Sequence, residues 1–330
     1  MSAFISSPPL FTVCTPSFNR ASLLPRVFES LARQTCQDFE WLLVDDGSSD
    51  NTAEVAVSFF ASGKVRGRYL RKPNGGKHTA LNLAVREAQG ALFTVLDSDD
   101  WFDTRALERL KFHWDQVPRA EQPRFKGVCG LFAYESGAVV GDKFPADVFD
   151  SDDLDLQLRH DIRGDKIGFI RTEVMREFPF PEDLSAGVQG AIYVGESLVW
   201  NRMARKYANR FVNEVFAIKE YQADGIMDKG RLLQARNARA FLLYYEELIQ
   251  CGRPLPWKHA LRAYRNYVRY SLHDRVPLRR QIARAPDKFW LLLSYPIGCL
   301  TYVRDQRLTH QASSNRPVAP RRDEAVAPTR

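Results

Sequence analysis

The chain has 330 residues, enough for one large α/β domain and an appended region, and its 45% hydrophobic residues support a substantial core. The net charge is +7, and five cysteines without paired spacing argue against a disulfide framework and for reduced thiols in the cytoplasm. No basic stretch followed by an apolar segment opens the chain, so we expect no signal peptide.

Strands and helices alternate through the first hundred residues. The β-α-β-α order with short connections predicts an α/β fold, in which a Rossmann-like, mostly parallel sheet is flanked by helices. Apolar runs predict strands at 10–14, 41–44, 69–70 and 91–96, and apolar residues at helical spacing predict helices at 23–31, 52–60 and 79–88.

The loops that follow these strands carry the polar residues of interest. The carboxyl ends of parallel strands share one edge of a sheet, where ligands bind, so we expect the four loops to converge. They are 15–19, Asp45-Asp46, 74–77 and 97–100.

The acidic sequence Asp97-Ser98-Asp99-Asp100 directly follows the apolar run 91–96. Three carboxylates within four residues repel one another and favour a hard divalent cation, so a Mg²⁺ or Mn²⁺ site is one interpretation. The alternative is an ordinary acidic turn after a strand, because Asp and Ser favour turns and helix caps.

Gly75-Gly76-Lys77 stands at the start of a predicted helix. Exposed backbone N–H groups, the helix dipole and one lysine suit an anion such as a phosphate. The alternative is a left-handed glycine turn followed by a solvated lysine.

Four motifs resemble, in their order and spacing, those of family 2 glycosyltransferases. The resemblance is strong over 10–110, weaker over 125–222 and absent beyond about residue 250. It implies a GT-A fold and transfer of a sugar from a nucleotide-sugar donor with inversion at the anomeric carbon. The motifs are Thr15-Pro16-Ser17-Phe18-Asn19-Arg20, Gln34-Thr35, Val44-Asp45-Asp46-Gly47-Ser48-Ser49-Asp50 and Leu96-Asp97-Ser98-Asp99-Asp100.

The resemblance also implies a donor site. Asp46, with Asp45 beside it, would contact the base, and a carboxylate suits the N–H of uracil. A purely structural turn that caps the helix from Thr52 is the alternative, and the two roles are compatible. The implied donor-binding residues are Pro16, Ser17, Phe18, Asp45, Asp46, Asn74, Lys77, Asp97 and Ser98.

For the metal, the resemblance implies Asp99 as a ligand and Asp97 as the residue that holds the ribose or a metal-bound water. Asp100 would ligate the metal or orient its neighbours.

Inversion in one step needs a general base, which the family usually takes from a Glu-Asp pair at the start of a helix. Glu196 matches this position, although Ser197 replaces the usual aspartate, and Asp183 is the alternative base. Trp200 follows Glu196 by one helical turn and suits either stacking on an acceptor sugar or packing in the core.

We divide the chain into a GT-A catalytic domain at 1–222, a basic helical region at 223–310 and a disordered tail at 311–330. Within the domain, 10–110 is the nucleotide-sugar half and 111–222 the acceptor-side half. From Arg253 onward the chain has sixteen Lys or Arg and five Asp or Glu, a net charge of +11 that leaves −4 on the first 252 residues.

Two segments of the basic region suggest peripheral contact with an anionic membrane. In the first, an apolar helix face has a basic stripe beside it. The second is the apolar run 289–303, which is too short to span a membrane and is interrupted at Pro296-Gly298, so it either enters the interface or packs on the domain. The face consists of Trp257, Leu261, Tyr264, Val268 and Leu272, and the stripe of Lys258, Arg262, Arg265 and Arg269.

The function that the sequence favours is an inverting, metal-dependent glycosyltransferase, using UDP-sugar as donor and a hydroxyl of a glycan or lipid-linked acceptor. We expect it at the cytoplasmic face of the membrane, in surface polysaccharide or glycolipid synthesis. The absence of a Gln-x-x-Arg-Trp motif favours transfer of one sugar over processive polymerisation. The alternatives are a catalytically silent nucleotide-sugar or glycan-binding protein and a sugar nucleotidyltransferase. No nucleic-acid recognition module accompanies the arginines.

Overall fold

The computed structural model describes residues 7–185, 191–220 and 230–314. The strands are β1 (Phe11–Ser17), β2 (Phe39–Asp45), β3 (Gly67–Arg71), β4 (Leu92–Val95), β5 (Asp100–Phe102), β6 (Phe125–Ala133), β7 (Val148–Ser151), β8 (Lys166–Arg171) and β9 (Ala208–Lys219). The helices of the first 220 residues are α1 (Leu24–Ala32), α2 (Thr52–Ala61), α3 (Lys77–Glu87), α4 (Ala106–Asp115), α5 (Asp153–Leu158), α6 (Thr172–Glu177) and α7 (Ser197–Met203).

These strands form one sheet in the order β3-β2-β1-β4-β8-β6-β9-β5, and β7 pairs with β9 outside this order. The first four strands are parallel, as the alternation of strands and helices predicts. Beyond β4 the sheet is mixed, because β8 runs antiparallel to both β4 and β6 and β5 runs antiparallel to β9. The expected α/β sheet flanked by helices is confirmed.

Both faces of the sheet are covered, and β2 shows why. Its side chains alternate between two apolar layers, since successive residues of a strand point to opposite faces. Trp41 and Leu43 pack in one layer with residues of α1, such as Leu31. Leu42 and Val44 pack in the other with residues of α3. A continuous apolar run is typical of a parallel strand that is buried on both sides.

Residues of the C-terminal region form a helical bundle, and its apolar core also includes Leu154 and Leu158 of α5 and Ala204. The bundle contacts the first domain through α7 and α9. The ring of Tyr193 stacks on Phe241 at 5.9 Å, and the backbone N–H of Tyr193 donates to Asn237 Oδ1 at 2.7 Å. The bundle consists of α8 (Gly230–Arg236), α9 (Ala238–Ile249), α10 (Trp257–His273), α11 (Leu278–Arg284) and α12 (Lys288–Ser314).

The prediction that α10 presents its apolar face to a membrane is wrong. Tyr264 and Val268 of that face are fully buried, because α9 and α12 pack against α10. Arg269 of the predicted basic stripe is also buried, and its guanidinium pairs with the Asp305 carboxylate of α12.

Two predictions about the last segment also need correction. The helix α12 runs on through Pro296, so the expected interruption is not there. Residues 311–314 belong to this helix, whereas 315–330, the rest of the predicted disordered tail, lie outside the described residues. The division at residue 222 also falls outside the described residues and stays a prediction. None of the described helices combines the length and the apolar character needed to cross a membrane.

Candidate active site

The structure brings Asp97, Asp99 and Asp100 together, with one carboxylate oxygen of each lying within 4.8 Å of the others. Asp97 and Asp99 lie in the turn that follows β4, and Asp100 begins β5. Within the described ranges this is the only group of three or more His, Cys, Asp or Glu side chains arranged to hold a metal ion.

The electrostatics of this cluster favour a cation. Burial and the neighbouring Asp97 carboxylate raise the pKa of Asp99 and raise the pKa of Asp100 to about 8. The Oδ1 atom of Asp100 is buried and has no hydrogen-bond partner. Carboxylate oxygens are the ligands that Mg²⁺ and Mn²⁺ prefer, so the donor set fits either ion.

One lysine of β9 faces this cluster. Strand pairing places Asp100 opposite Lys219, and Lys219 Nζ lies 3.6 Å from Asp100 Oδ2 and 3.0 Å from Asp165 Oδ2. Although burial alone would lower it, these carboxylates raise the pKa of Lys219. The lysine is therefore charged and offsets part of the repulsion among the aspartates.

Lys77 connects the acidic cluster to the predicted general base. Its Nζ atom lies 2.6 Å from Asp97 Oδ1 and 2.8 Å from Glu196 Oε1. Burial alone would lower the pKa of Lys77, but the two carboxylates raise it well above its ordinary value. A fixed positive charge at the first residue of α3 thus holds the side chains of Asp97 and Glu196 together.

The two candidate bases occupy different surroundings. Glu196 immediately precedes α7 and is about one-third exposed, beside Lys77. Asp183 lies in the short 3-10 helix Asp183–Ser185, is exposed, and acts electrostatically on Arg202. Of the two, Glu196 is therefore the one that the structure places against the acidic cluster.

Trp200 packs in the domain. Its ring meets Phe180 edge to face at 6.0 Å, and Lys126 Nζ lies 5.5 Å from its centroid. The core interpretation of this tryptophan accounts for these contacts.

The second acidic turn is arranged differently, because protein donors surround Asp46. Lys72 Nζ lies 2.6 Å from Asp46 Oδ1, and the backbone N–H of Gly75 donates to the same oxygen at 2.9 Å. The N–H of Gly76 and the side-chain amide of Asn74 donate to Oδ2 at 2.7 and 3.2 Å. The anion that the glycine turn binds is thus a carboxylate of the chain itself.

Gly76 is required in this turn. Its φ of +99° is a left-handed conformation that favours glycine, and a Cβ there would lie 2.3 Å from the carbonyl oxygen of Ile192. The loop 72–76 can therefore close over Asp46 only with glycine at this position.

Asp45 is also fully engaged within the protein. Its carboxylate accepts from the Ser48 backbone N–H at 2.8 Å and from the Tyr69 hydroxyl at 2.6 Å. A different aspartate, Asp50, binds the start of α2. Its Oδ1 accepts hydrogen bonds from the backbone N–H and the hydroxyl of Thr52 at 3.1 and 2.6 Å.

The first predicted loop lies against the second. Asn19 adopts a φ of +54°, and its Oδ1 accepts from the Ser49 backbone N–H at 2.8 Å. Pro16 and Ser17 are buried at the end of β1, and the ring of Phe18 is about half exposed. Ser98 is buried in the turn after β4.

A depression of about 470 Å³ opens beside Asp46, within the range of small-molecule sites. It is lined by Gly47, Arg71, Lys72, Pro73 and Asn74. Asn74 thus lies where a base contact was predicted, and Arg71 and Lys72 add two cations there.

Sequence reasoning missed Lys72, Lys219 and Asp165. Lys72 adjoins the Pro-Asn-Gly-Gly turn, and that neighbourhood was an available signal. Lys219 and Asp165 have no such signal. Lys219 reaches Asp100 only through the pairing of β5 with β9, and Asp165 reaches Lys219 from the loop before β8.

Comparison with known proteins identifies the domain. The sequence model of glycosyl transferase family 2 matches residues 12–164. This match covers just under half of the chain, and residues 12–164 are therefore similar to the glycosyltransferases of that family.

Two relatives of known sequence each align with about a third of the chain. The hyaluronan synthase of Pasteurella multocida is 38% identical over 104 residues, which are 32% of this chain and 11% of the synthase. The uncharacterized glycosyltransferase EpsJ of Bacillus subtilis is 31% identical over 129 residues, 39% of this chain and 36% of that protein. The chain therefore matches about a tenth to a third of these relatives' lengths.

Solved structures extend the likeness of fold to nearly the whole chain. S. aureus TarS 1–349, solved in complex with UDP, has a TM-score of 0.52 at 16% identity and covers 94% of both chains. The mannosyltransferase PcManGT from Pyrobaculum calidifontis, in complex with GDP-Man and Mn²⁺, has a TM-score of 0.53 at 17% identity, covering 94% of this chain and 88% of its own. The expected GT-A fold is confirmed.

Proposed function

We propose that the chain is an inverting, metal-dependent glycosyltransferase that transfers one sugar from UDP-sugar to a hydroxyl group. The observation that carries this proposal is the position of Lys77, which holds Glu196 and Asp97 on either side of one ammonium group. A base for the acceptor and a carboxylate for the donor are thereby fixed next to each other.

Asp97, Asp99 and Asp100 would hold Mn²⁺ or Mg²⁺, which supplies positive charge to the diphosphate leaving group. Asp97 would also bind the ribose or a metal-bound water. Lys77 adds a second positive charge on the same side, and its Nζ atom lies 2.8 Å from Glu196 Oε1.

Glu196 would accept the proton of the attacking hydroxyl, the role of a general base. Its carboxylate is about one-third exposed, so an acceptor can reach it. Attack from the side opposite the leaving diphosphate gives inversion in one step.

The nucleoside would bind over the first two loops. Phe18 offers an exposed ring, and the depression next to Asp46 offers Asn74 and Arg71. The complexes of TarS with UDP and UDP-GlcNAc support a uridine nucleotide, whereas the GDP-Man complex of PcManGT makes guanosine the competing choice. Asp46 remains our proposed contact to the base. Its carboxylate already accepts hydrogen bonds from the 72–76 loop, so it would have to accept from the base in addition.

The acceptor would be a glycan or a lipid-linked sugar at the cytoplasmic face of the membrane. Support comes from the relatives, which include a hyaluronan synthase and a chondroitin synthase of Pasteurella multocida and a PGL/p-HBAD biosynthesis glycosyltransferase of Mycobacterium bovis.

The first test is thermal stabilisation of the purified chain by UDP, GDP and dTDP, each with and without Mn²⁺. We expect a shift with UDP that requires Mn²⁺. A metal-dependent preference for GDP would replace the nucleotide assignment, and no shift with any nucleotide would contradict the metal-diphosphate site.

The second test identifies the reaction by its products. Slow hydrolysis of UDP-sugar should release UDP and a sugar whose anomeric configuration, read by NMR at early times, is opposite to that of the donor. Retention would contradict the single-step mechanism. Release of pyrophosphate would instead indicate a nucleotidyltransferase.

A further inference from the structure

The helix α12 has an unusual distribution of residues between its two faces. On the inner face Leu291, Ser294, Gly298 and Asp305 are buried against the bundle. We define the outer face by the apolar side chains that are exposed on the opposite side, namely Phe289, Leu292, Leu293, Ile297, Leu300, Val303 and Leu308.

The inner face is built for close contact with α10. A Cβ on Gly298 would lie 2.6 Å from the Val268 side chain, so only glycine allows the two helices to approach this closely. Asp305 is buried because it pairs with Arg269 and with His273. The inner face thus packs Leu291 together with small and paired polar residues, while most of the large apolar residues of the helix point away from the protein.

Exposure of the outer face is extensive. Leu292 is 77% exposed, Leu300 is 70% exposed and Phe289 is 66% exposed. The neighbouring α11 adds Leu278 and Ile282, so nine of the fifteen exposed large hydrophobic side chains of the described residues lie on these two helices. A contiguous apolar surface of this kind marks a protein or membrane contact.

The charges around the outer face indicate which partner it fits. Residues 275–309 contain seven basic and two acidic residues. Of the two acidic residues, Asp305 is buried in its ion pairs and Asp287 accepts from the backbone N–H of Phe289 at the start of α12. The basic residues are Arg275, Arg279, Arg280, Arg284, Lys288, Arg304 and Arg307.

We propose that the outer face of α12, with Leu278 and Ile282 of α11, is the surface by which this chain binds an anionic lipid bilayer. A helix with an apolar face and basic residues beside it lies in the plane of such an interface. The apolar stripe from Phe289 to Leu308 extends over about 30 Å at 1.5 Å per residue. The helix lies flat, because α10 covers its inner face along this length.

A second copy of the chain is a poorer partner. A dimer through this face would bring the basic residues of both copies into one interface with few acidic partners, and like charges across an interface disfavour association. Anionic headgroups instead attract each exposed Lys or Arg near the surface.

The binding surface is connected mechanically to the acceptor side of the active site. The helix α12 packs on α10, α10 packs on α9, and α9 contacts α7, which Glu196 immediately precedes. A bilayer held at α12 would therefore be linked through α10 and α9 to the helix that Glu196 precedes. This arrangement suits an acceptor that is anchored in the lipid.

Flotation of the full chain with vesicles tests the proposal. One set of vesicles is phosphatidylcholine alone, and the other contains about one-third phosphatidylglycerol. We expect binding to the anionic vesicles that weakens as salt rises. The double substitution Leu292→Glu with Leu300→Glu should reduce the bound fraction about tenfold or more.

Val57→Glu on α2 is the matched control, since Val57 is 61% exposed on a helix outside the bundle. It should bind vesicles like the unmodified chain. Stabilisation by UDP with Mn²⁺ should be the same in all these proteins, which separates failure of this proposal from failure of the proposed enzymatic function.

Two results would overturn the proposal. One is equal binding by the unmodified chain and the double variant. The other is a dimer of the unmodified chain in light scattering that the double variant converts to a monomer, without vesicle binding by either.

Discussion

Two acidic turns lie at the same edge of the sheet and are alike in sequence, but their surroundings are opposite. At Asp46 the carboxylate accepts from Lys72, from Asn74 and from the N–H groups of Gly75 and Gly76. At the turn after β4, three aspartates crowd together, and the pKa of Asp100 is raised to about 8 by burial and by Asp97.

The difference teaches that an acidic turn after a strand does not by itself define a metal site. What matters is whether the protein has already supplied the positive partners. In the first turn the protein supplies these partners, and the Asp46 carboxylate holds the loop 72–76. The second turn has a deficit of positive charge that a cation would offset.

The same chemical change at both turns makes the comparison testable. Asp99→Asn should lower the turnover of UDP-sugar about 1,000-fold or more, because Lewis-acid stabilisation contributes several kcal/mol and each 1.36 kcal/mol is tenfold in rate. Turnover kinetics and circular dichroism would measure activity and fold. Unchanged turnover in a folded variant would refute the metal assignment.

Glu196→Gln extends the comparison to the second carboxylate that Lys77 contacts, the first being that of Asp97. We expect turnover to fall about 100-fold, since the amide cannot accept the proton. Stabilisation by UDP with Mn²⁺ should persist, because the metal cluster is intact. Asp183→Asn is the control and should retain activity; a reversed pattern would transfer the role of base to Asp183.

Asp46→Asn should act mainly on stability. Loss of one charged partner leaves Lys72 uncompensated, and we expect the free energy of unfolding to fall by about 1–3 kcal/mol. Urea denaturation measures this change. If stability were unaffected while UDP affinity fell, the carboxylate would act as a base contact and not as the centre of the loop.

The pH dependence of stability gives the most specific signal. Between the unfolded pKa of an aspartate, about 3.9, and the folded pKa of Asp100, about 8, the folded chain binds a proton that the unfolded chain does not. The contribution of Asp100 to stability therefore falls as pH rises through this range. Mn²⁺ competes with the proton, so its stabilising effect should grow over the same range.

Thermal unfolding at about pH 5.5 and about pH 8, with and without Mn²⁺, checks this prediction. Asp100→Asn should have a flatter pH dependence in the absence of metal. An identical dependence in both proteins would show that other groups determine it.

The first half of the fold could be predicted because its signals are local. Alternation of apolar residues and short loops indicated β1 to β4, and the parallel order then brought the loops to one edge. The three clustered aspartates followed from the same logic.

The parts that could not be predicted depend on contacts between distant residues. The sequence near Lys219 does not predict that β9 pairs with β5. The sequence Gly75-Gly76 does not predict that its N–H groups bind Asp46. The exposure of the apolar face of α10 was wrongly predicted for a related reason. Periodicity shows that a helix has an apolar face, but only packing shows whether that face is covered, and here α9 and α12 cover Tyr264 and Val268.

The loop closed over Asp46 has a thermodynamic consequence. Residues 72–76 are held by the carboxylate as part of the folded chain, so the conformational entropy of ordering them, about 1–2 kcal/mol per residue, is lost on folding and not on binding. Calorimetric titration with a nucleotide should accordingly show little entropic penalty from this loop. Under the proposed function, this turn would contribute to affinity by being rigid before the nucleotide binds.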